Sequence, residues 1–148
     1  MTIRLTILAA LFALALAPGA VAEPPVNHGP AVMNIDSLLS VFVLHDGEQI
    51  RSDVVSSDSL TSVHLTQVRG AVEGHKHLTH HETVWIIRGA GRLMLDGTPH
   101  KVSAGEVINI PPGTSHSFHN LGVVPTVVIS VFSPSFDGKD RVYDNPGK

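Results

Sequence analysis

The 148-residue chain has no cysteine. That excludes disulfides, thiolate metal ligands and a cysteine nucleophile, although it does not name a compartment. Positive charge is also scarce, with ten Lys and Arg against thirteen Asp and Glu and a formal net charge of −3. The basic residues stand singly and form no stripe along which a phosphate backbone could lie, so no nucleic-acid partner is expected. No Gly-x-Ser-x-Gly elbow occurs, and Ser115 beside His116 is a sequence neighbour, not a triad, which argues against an acyl-transfer serine enzyme. Internal repeats, low-complexity tracts and helical periods longer than two turns are missing as well. What the chain has in quantity is histidine: ten, all of them after residue 22.

The first 22 residues read as a secretory signal peptide. Arg4 supplies a positive start, Leu5 to Ala17 is an almost unbroken apolar run, and Ala20-Val21-Ala22 is a small-x-small cleavage signal before Glu23. The run falls short of the ~20 residues that a membrane span needs, and Pro18-Gly19 interrupts it. Cleavage between Ala22 and Glu23 is the expectation, with a periplasmic or secreted product that keeps no membrane attachment. Residues 23–148 then make one domain of ordinary size.

Within that domain, residues 23–37, with Pro24, Pro25, Gly29 and Pro30, read as an irregular N-terminal arm. Residues 38–133 carry short β-rich runs between turn residues, and 134–148 look like a loosely held C-terminal tail. Strands are expected over 40–45, 60–69, 82–88, 91–96, 99–102, 106–110, 115–120 and 126–132. Asp96-Gly97 is a type I′ hairpin signal, because both central residues of that turn need positive φ. Many short strands with regular punctuation predict an all-β, antiparallel barrel or sandwich.

Two clusters carry the chemistry. In "GHKHLTHHETVWIIRG", residues 74–89, His75 and His77 are two apart, so on an extended strand both imidazoles share a face and can reach one ion. Glu82 lies five residues beyond His77, and strict alternation would put it on the opposite face. The chain must therefore bend between Leu78 and His81 for Glu82 to join them, yet that stretch holds neither Gly nor Pro. After the bend, Glu82, Val84 and Ile86 would share an inner face and Thr83, Trp85 and Ile87 an outer one; both are largely apolar, which predicts a strand covered on both sides. In "GEVINIPPGTSHSFHN", residues 105–120, the Pro111-Pro112-Gly113 turn delivers His116 to the start of a strand. Three neutral imidazoles and a carboxylate suit one divalent transition metal ion such as Mn, Fe, Co, Ni, Cu or Zn, with coordination positions left over.

These clusters resemble the paired signature of the cupin superfamily. The first reads Gly70, His75-x-His77, four residues, Glu82, six residues, Gly89; the second reads Gly105, five residues, Pro111-x-Gly113, two residues, His116, three residues, Asn120. The second fits position for position, and the first departs once, with four residues instead of the usual five between Gly70 and His75. The resemblance covers roughly residues 40–132. It implies a single-domain jelly-roll β-barrel with His75, His77, Glu82 and His116 as metal ligands.

The remaining candidates are open. His81, His119 and His64 are candidates for a general base, and His80, His81 and His119 for support of a ligand or a proton shuttle, each against an ordinary solvated or hydrogen-bonded position. His64 alternates with Val63 and Leu65 and either looks into the barrel or is an ordinary hydrogen-bonded strand histidine. Phe118 shares the face of His116, and Asn120 is expected to fix the turn after its strand. Trp85 suits either a contact in a homodimer or packing under the N-terminal arm. Arg69, Arg88 and Arg92 are surface residues unless one points inward to clamp a carboxylate. Three functions fit: a metal-dependent enzyme on a small molecule, dioxygenase-type chemistry first; an isomerase, lyase or decarboxylase on a sugar-derived acid; or a small-ligand or metal binding module. One barrel hosts many activities, so the fold cannot choose among them.

Overall fold

A computed structural model of the protein describes residues 29–144. The expected signal peptide, the start of the arm and the last four residues of the chain lie outside the described residues. The first element is a helix, α1 (Ile35–Val41), capped by the Asn34 side chain, which accepts from the amides of Asp36 and Ser37. Ten strands follow: β1 (Ile50–Ser57), β2 (Ser62–Val68), β3 (Ala71–Lys76), β4 (His81–Arg88), β5 (Ala90–Leu95), β6 (Thr98–Ser103), β7 (Val107–Ile110), β8 (His116–Asn120), β9 (Thr126–Ser133) and β10 (Val142–Tyr143).

They form two five-stranded sheets, in the orders β1-β2-β9-β4-β7 and β10-β3-β8-β5-β6, with antiparallel pairing throughout. The fold is all-β, a jelly-roll barrel as expected. Between the sheets lie Ile86, Leu93, Val102, Ile108, Ile110 and Val128. A second cluster, Phe42, Val55, Leu65 and Val127, sits under Ile35, Leu38 and Leu39 of α1. Arg88 ties the helix to β4 through an ion pair with Asp36. Thus β4 has Ile86 inside at 1% exposure and Ile87 against the helix cluster, while Trp85 is 53% exposed and does not pack beneath the arm.

Seven expected strands stand within one or two residues of the observed β2 and β4–β9. The expected strand over 40–45 does not form. Residues 40 and 41 finish the helix, and the alternation of the following segment is met without sheet pairing: Phe42 and Leu44 are buried while Val41 and Val43 are exposed. The edge strand β1 was not anticipated, since its polar sequence, IRSDVVSS, does not read as a core strand. In the β5–β6 turn Asp96 and Gly97 have φ of 43° and 79°, both positive as the hairpin signal requires. The tail differs most from expectation. Residues 134–144 are held against the barrel, with β10 pairing to β3 and Phe136 stacked on Phe132 at 4.7 Å between centroids.

Candidate metal centre

β3 and β8 bring His75 and His116 opposite each other, and a bulge makes this possible. Val72 pairs with Phe118 and His75 with His116, so β3 spends three residues where β8 spends two. Val72 already faces the interior, and without the extra residue alternation would turn His75 outward. The bulge restores His75 to the inner face, and His77 follows two residues later. Gly74 in the bulge lies close to β10: a Cβ there would stand 2.6 Å from the Asp144 carboxylate, which would have to swing aside.

Each of the three histidines has its Nδ1 beside a backbone carbonyl: His75 with Glu73 at 2.8 Å, His116 with Thr114 at 3.0 Å, and His77 with Asp140 in a short contact. A carbonyl only accepts, so each Nδ1 carries a hydrogen, and in the neutral form of each ring Nε2 keeps its lone pair for an ion. One ligand atom from each ring lies within 4.8 Å of those of the other two, and all three rings are buried. Glu82 enters from β4 in the facing sheet, its Oε2 3.3 Å from His116 Nε2 and 3.7 Å from His77 Nε2. His77 Nε2 is fully enclosed and has no hydrogen-bond partner. A buried nitrogen without a partner is costly in a native interior, and an ion on its lone pair removes that cost. The residues present therefore fit a divalent metal.

The electrostatics agree with this donor set. Burial pushes His75 down to about 4, with the Glu73 carbonyl partly offsetting it, and burial also lowers His77. At His116 burial works downward, but the hydrogen bond and charge of Glu82 outweigh it and raise the ring above its ordinary value. Burial alone would raise Glu82; its contacts with His116, the Ser130 hydroxyl and His77 prevail and hold it below the usual carboxylate range. Two neutral imidazoles and an anionic carboxylate thus stand ready at neutral pH.

The bend from β3 to β4 is organised from outside its own sequence. The Asp140 carboxylate accepts from the amides of Leu78 and Thr79 at 2.9 and 2.8 Å, from the Thr79 hydroxyl at 2.8 Å and from His80 Nδ1 at 2.7 Å. Burial would raise this carboxyl, but these bonds hold it well below its ordinary value. His80, one reading of which was a solvated rim residue, is 7% exposed and bound to Asp140.

Two of the proposed general bases are not at the site. Glu82 faces inward, so its neighbour His81 faces out and bonds Asn109; Phe118 faces inward, so His119 is exposed on the other side of β8. Neither borders the cavity beside the histidines. That cavity is lined mainly by Val68, Val84, Ile86, Ile108, Val128 and Phe132, together with Phe118 as expected, and His64 also faces it. Among the described residues no lysine or arginine lines it: Arg69 bonds the His45 carbonyl, Arg88 pairs with Asp36, and Arg92 is exposed. Asn120 does fix its turn, donating to the carbonyls of Arg69, Gly122 and Val124. Asp140 and Phe136 were missed, and nothing in the motif spacing points to them, since they follow β9.

Residues 63–132, a little under half of the chain, match the family model described as a cupin domain. Among particular relatives, an uncharacterized protein of Aquifex aeolicus is 38% identical over 68 residues, 46% of this chain and 55% of that protein. One from Methanocaldococcus jannaschii is 36% identical over 66 residues, 45% and 53% of the respective chains. The chain thus spans about half the length of these curated relatives. Of solved structures, KdgF from Halomonas sp. is 26% identical with a TM-score of 0.58, over 63% of this chain and 86% of that one. A Klebsiella pneumoniae protein with a double-stranded β-helix domain has 21% identity and a TM-score of 0.62, covering 72% and 91%. Streptomyces Pac13 with uridine, a nucleoside dehydratase, has 16% identity and a TM-score of 0.60, covering 68% and 82%. The last two likenesses concern the fold alone.

Proposed function

We propose that the protein is a metal-dependent enzyme that transforms a small molecule with a largely apolar body, by dioxygenase-type chemistry. His75, His77, His116 and Glu82 hold one divalent ion, Mn, Fe, Ni, Cu or Zn. The observation that carries the reading is the convergence of three imidazole ligand atoms, one of them the enclosed and unpartnered His77 Nε2, on the wall of a mainly apolar cavity. A bound ion supplies Lewis acidity, or redox chemistry, at its free coordination positions. The chain's own contribution is to fix the imidazole tautomers, to keep Glu82 anionic, and to exclude water with Val84, Ile86, Val128 and Phe132.

The sugar-acid reading is weaker on the same ground. Among the described residues no lysine or arginine borders the cavity, so a substrate carboxylate would have the ion alone as its positive partner. Arg141 lies over the Phe136 ring without lining it. The bases that this reading had in His81 and His119 face elsewhere, which leaves His64 alone.

The test is elemental analysis of the natively purified protein, followed by oxygen uptake with a panel of phenols and diketones. One equivalent of metal and uptake with a panel member support the reading. Metal without uptake rejects the dioxygenase, and tight ligand binding without turnover points to a binding module. Export belongs to the same proposal: Glu23 should be the first residue of protein recovered from the periplasm or medium, and N-terminal sequencing checks it.

A further inference from the structure

His64 is a cavity-facing imidazole that the metal reading leaves unused; of the hydroxyls that also line the cavity, Ser52 and Thr66 bond each other. It stands on β2, before both histidine clusters, 8% exposed and edge-on to Phe132 and Phe136 with centroids 5.1 and 6.2 Å away. Its Nε2 is 2.9 Å from Ser62 Oγ. Ser62 is 1% exposed, and its oxygen already accepts the amide of Phe136 at 3.0 Å.

Hydrogen-bond accounting then settles the tautomer. A buried hydroxyl has one hydrogen to donate, and His64 Nε2 is the acceptor that Ser62 has among the described residues, its other partner being an N–H. Ser62 therefore donates to Nε2, and the neutral ring carries its own hydrogen on Nδ1. Nδ1 has no protein partner among the described residues. Among those residues His77 Nε2 is the fully enclosed side-chain nitrogen or oxygen without a partner, so Nδ1 is not sealed off, and the ring that carries it lines the cavity. An N–H donor in a mainly apolar wall, whose other polar lining outside the histidine–glutamate cluster is the hydroxyls of Ser52, Thr66, Ser117 and Ser130, is a recognition element, because a ligand oxygen placed there replaces the water it displaces.

We propose that His64 Nδ1–H is the substrate-reading donor of the cavity, selecting compounds with an uncharged, apolar body that present one oxygen acceptor, a ketone or phenol oxygen. The assignment rests on the cavity being the substrate site of the proposed metal-dependent enzyme. Ser62 acts through His64 as a positioning residue.

Two measurements on the full chain test it. Two-bond ¹H–¹⁵N correlation of the histidine-labelled protein should show His64 as the Nδ1–H tautomer; an Nε2–H signature overturns the assignment without any variant. Binding of acetophenone, phenol and toluene to metal-loaded protein is then compared for wild type, His64→Phe and His64→Asn, with metal content measured in each. Loss of the donor in His64→Phe should weaken acetophenone and phenol about three- to tenfold and leave toluene unchanged. His64→Asn, whose amide N–H takes roughly the place of Nδ1–H, should recover most of the loss. Equal weakening of toluene, or no weakening of any probe, overturns the role of His64, and failure of acetophenone and phenol to bind wild type overturns the substrate class. A chain that takes up no metal yet binds the oxygen-bearing probes in a His64-dependent way keeps this assignment and removes the metal reading instead.

Discussion

The backbone carbonyl of Asp140 accepts the hydrogen of His77 Nδ1, while its carboxylate gathers the amides of Leu78 and Thr79 and the ring of His80. One residue of the C-terminal segment thus orients a proposed metal ligand and shapes the bend that lets β4 carry Glu82 back to the same point. The contact spans more than sixty residues of sequence, so the site closes only when the segment after β9 has docked.

Replacing Asp140 should accordingly act at the metal, not at the core. Asp140→Ala leaves the carbonyl but releases three amides and two side chains in the 78–80 bend. Outer partners of metal-bound histidines are worth about 10- to 100-fold in affinity, and a loss of that order is expected, smaller for Asp140→Asn, which keeps one acceptor oxygen. Competition against a chromophoric chelator measures it. Wild-type affinity in Asp140→Ala would show that the bend holds without the carboxylate.

The same contact explains what the sequence could and could not disclose. His75-x-His77 and the Pro-Pro-Gly turn before His116 were legible because the spacing of side chains along a strand is a local property. The outward direction of His81 and His119 was legible too, since Glu82 and Phe118 take the inner face, but it follows only once the register is known. The bulge that re-aims His75 and the bend that returns Glu82 were not. Their donors are satisfied by Asp140 and their spacing by pairing with β8, both remote in sequence. The segment over 40–45 misled for the opposite reason: its alternation is genuine burial, but of a loop packed on the sheet beneath α1.

Removing a ligand should abolish stoichiometric metal. His116 sits at the meeting of β8, Glu82 and the other two rings, and His116→Ala deletes one of three convergent donors. Elemental analysis should show one equivalent in wild type and little in the variant. Metal added to stripped wild type at about a hundred times its dissociation constant should stabilise it by about 2.7 kcal/mol, and the variant by much less. A variant that keeps its full equivalent would place the ion elsewhere.

The second cluster offers a control that separates fold from site. Leu65 is fully buried beneath α1, packed with Phe42, Val55 and Val127 on the face of the sheet away from the cavity. Leu65→Ala should cost about 2–5 kcal/mol through lost transfer energy and the void left behind. Urea denaturation reads the cost, and metal stoichiometry at low denaturant should stay at the wild-type value. A loss of metal in parallel with stability would mean that the two faces of the sheet are not independent.

Metal uptake should depend on pH with a sign set by three groups. In the metal-free protein Glu82 holds a proton on His116 above the ordinary imidazole range, whereas burial keeps His75 neutral down to about 4 and lowers His77. Binding below the raised His116 value therefore displaces a proton from His116 Nε2. The logarithm of apparent affinity should rise by about one per pH unit below the His116 value, level off above it, and steepen again toward pH 4, where His75 begins to take a proton. Folding stability responds oppositely to the two rings. The raised His116 stabilises fully below its unfolded value and loses that contribution as pH rises through its folded one; the depressed His75 destabilises as pH falls from about 6.5 toward 4, because only the unfolded chain protonates there. Glu82→Gln removes what holds the proton on His116, so the break in the affinity profile should move to lower pH even as affinity falls. Chelator competition between about pH 5 and 8 resolves both effects. A flat profile across that range would show that His116 carries no proton for the metal to displace.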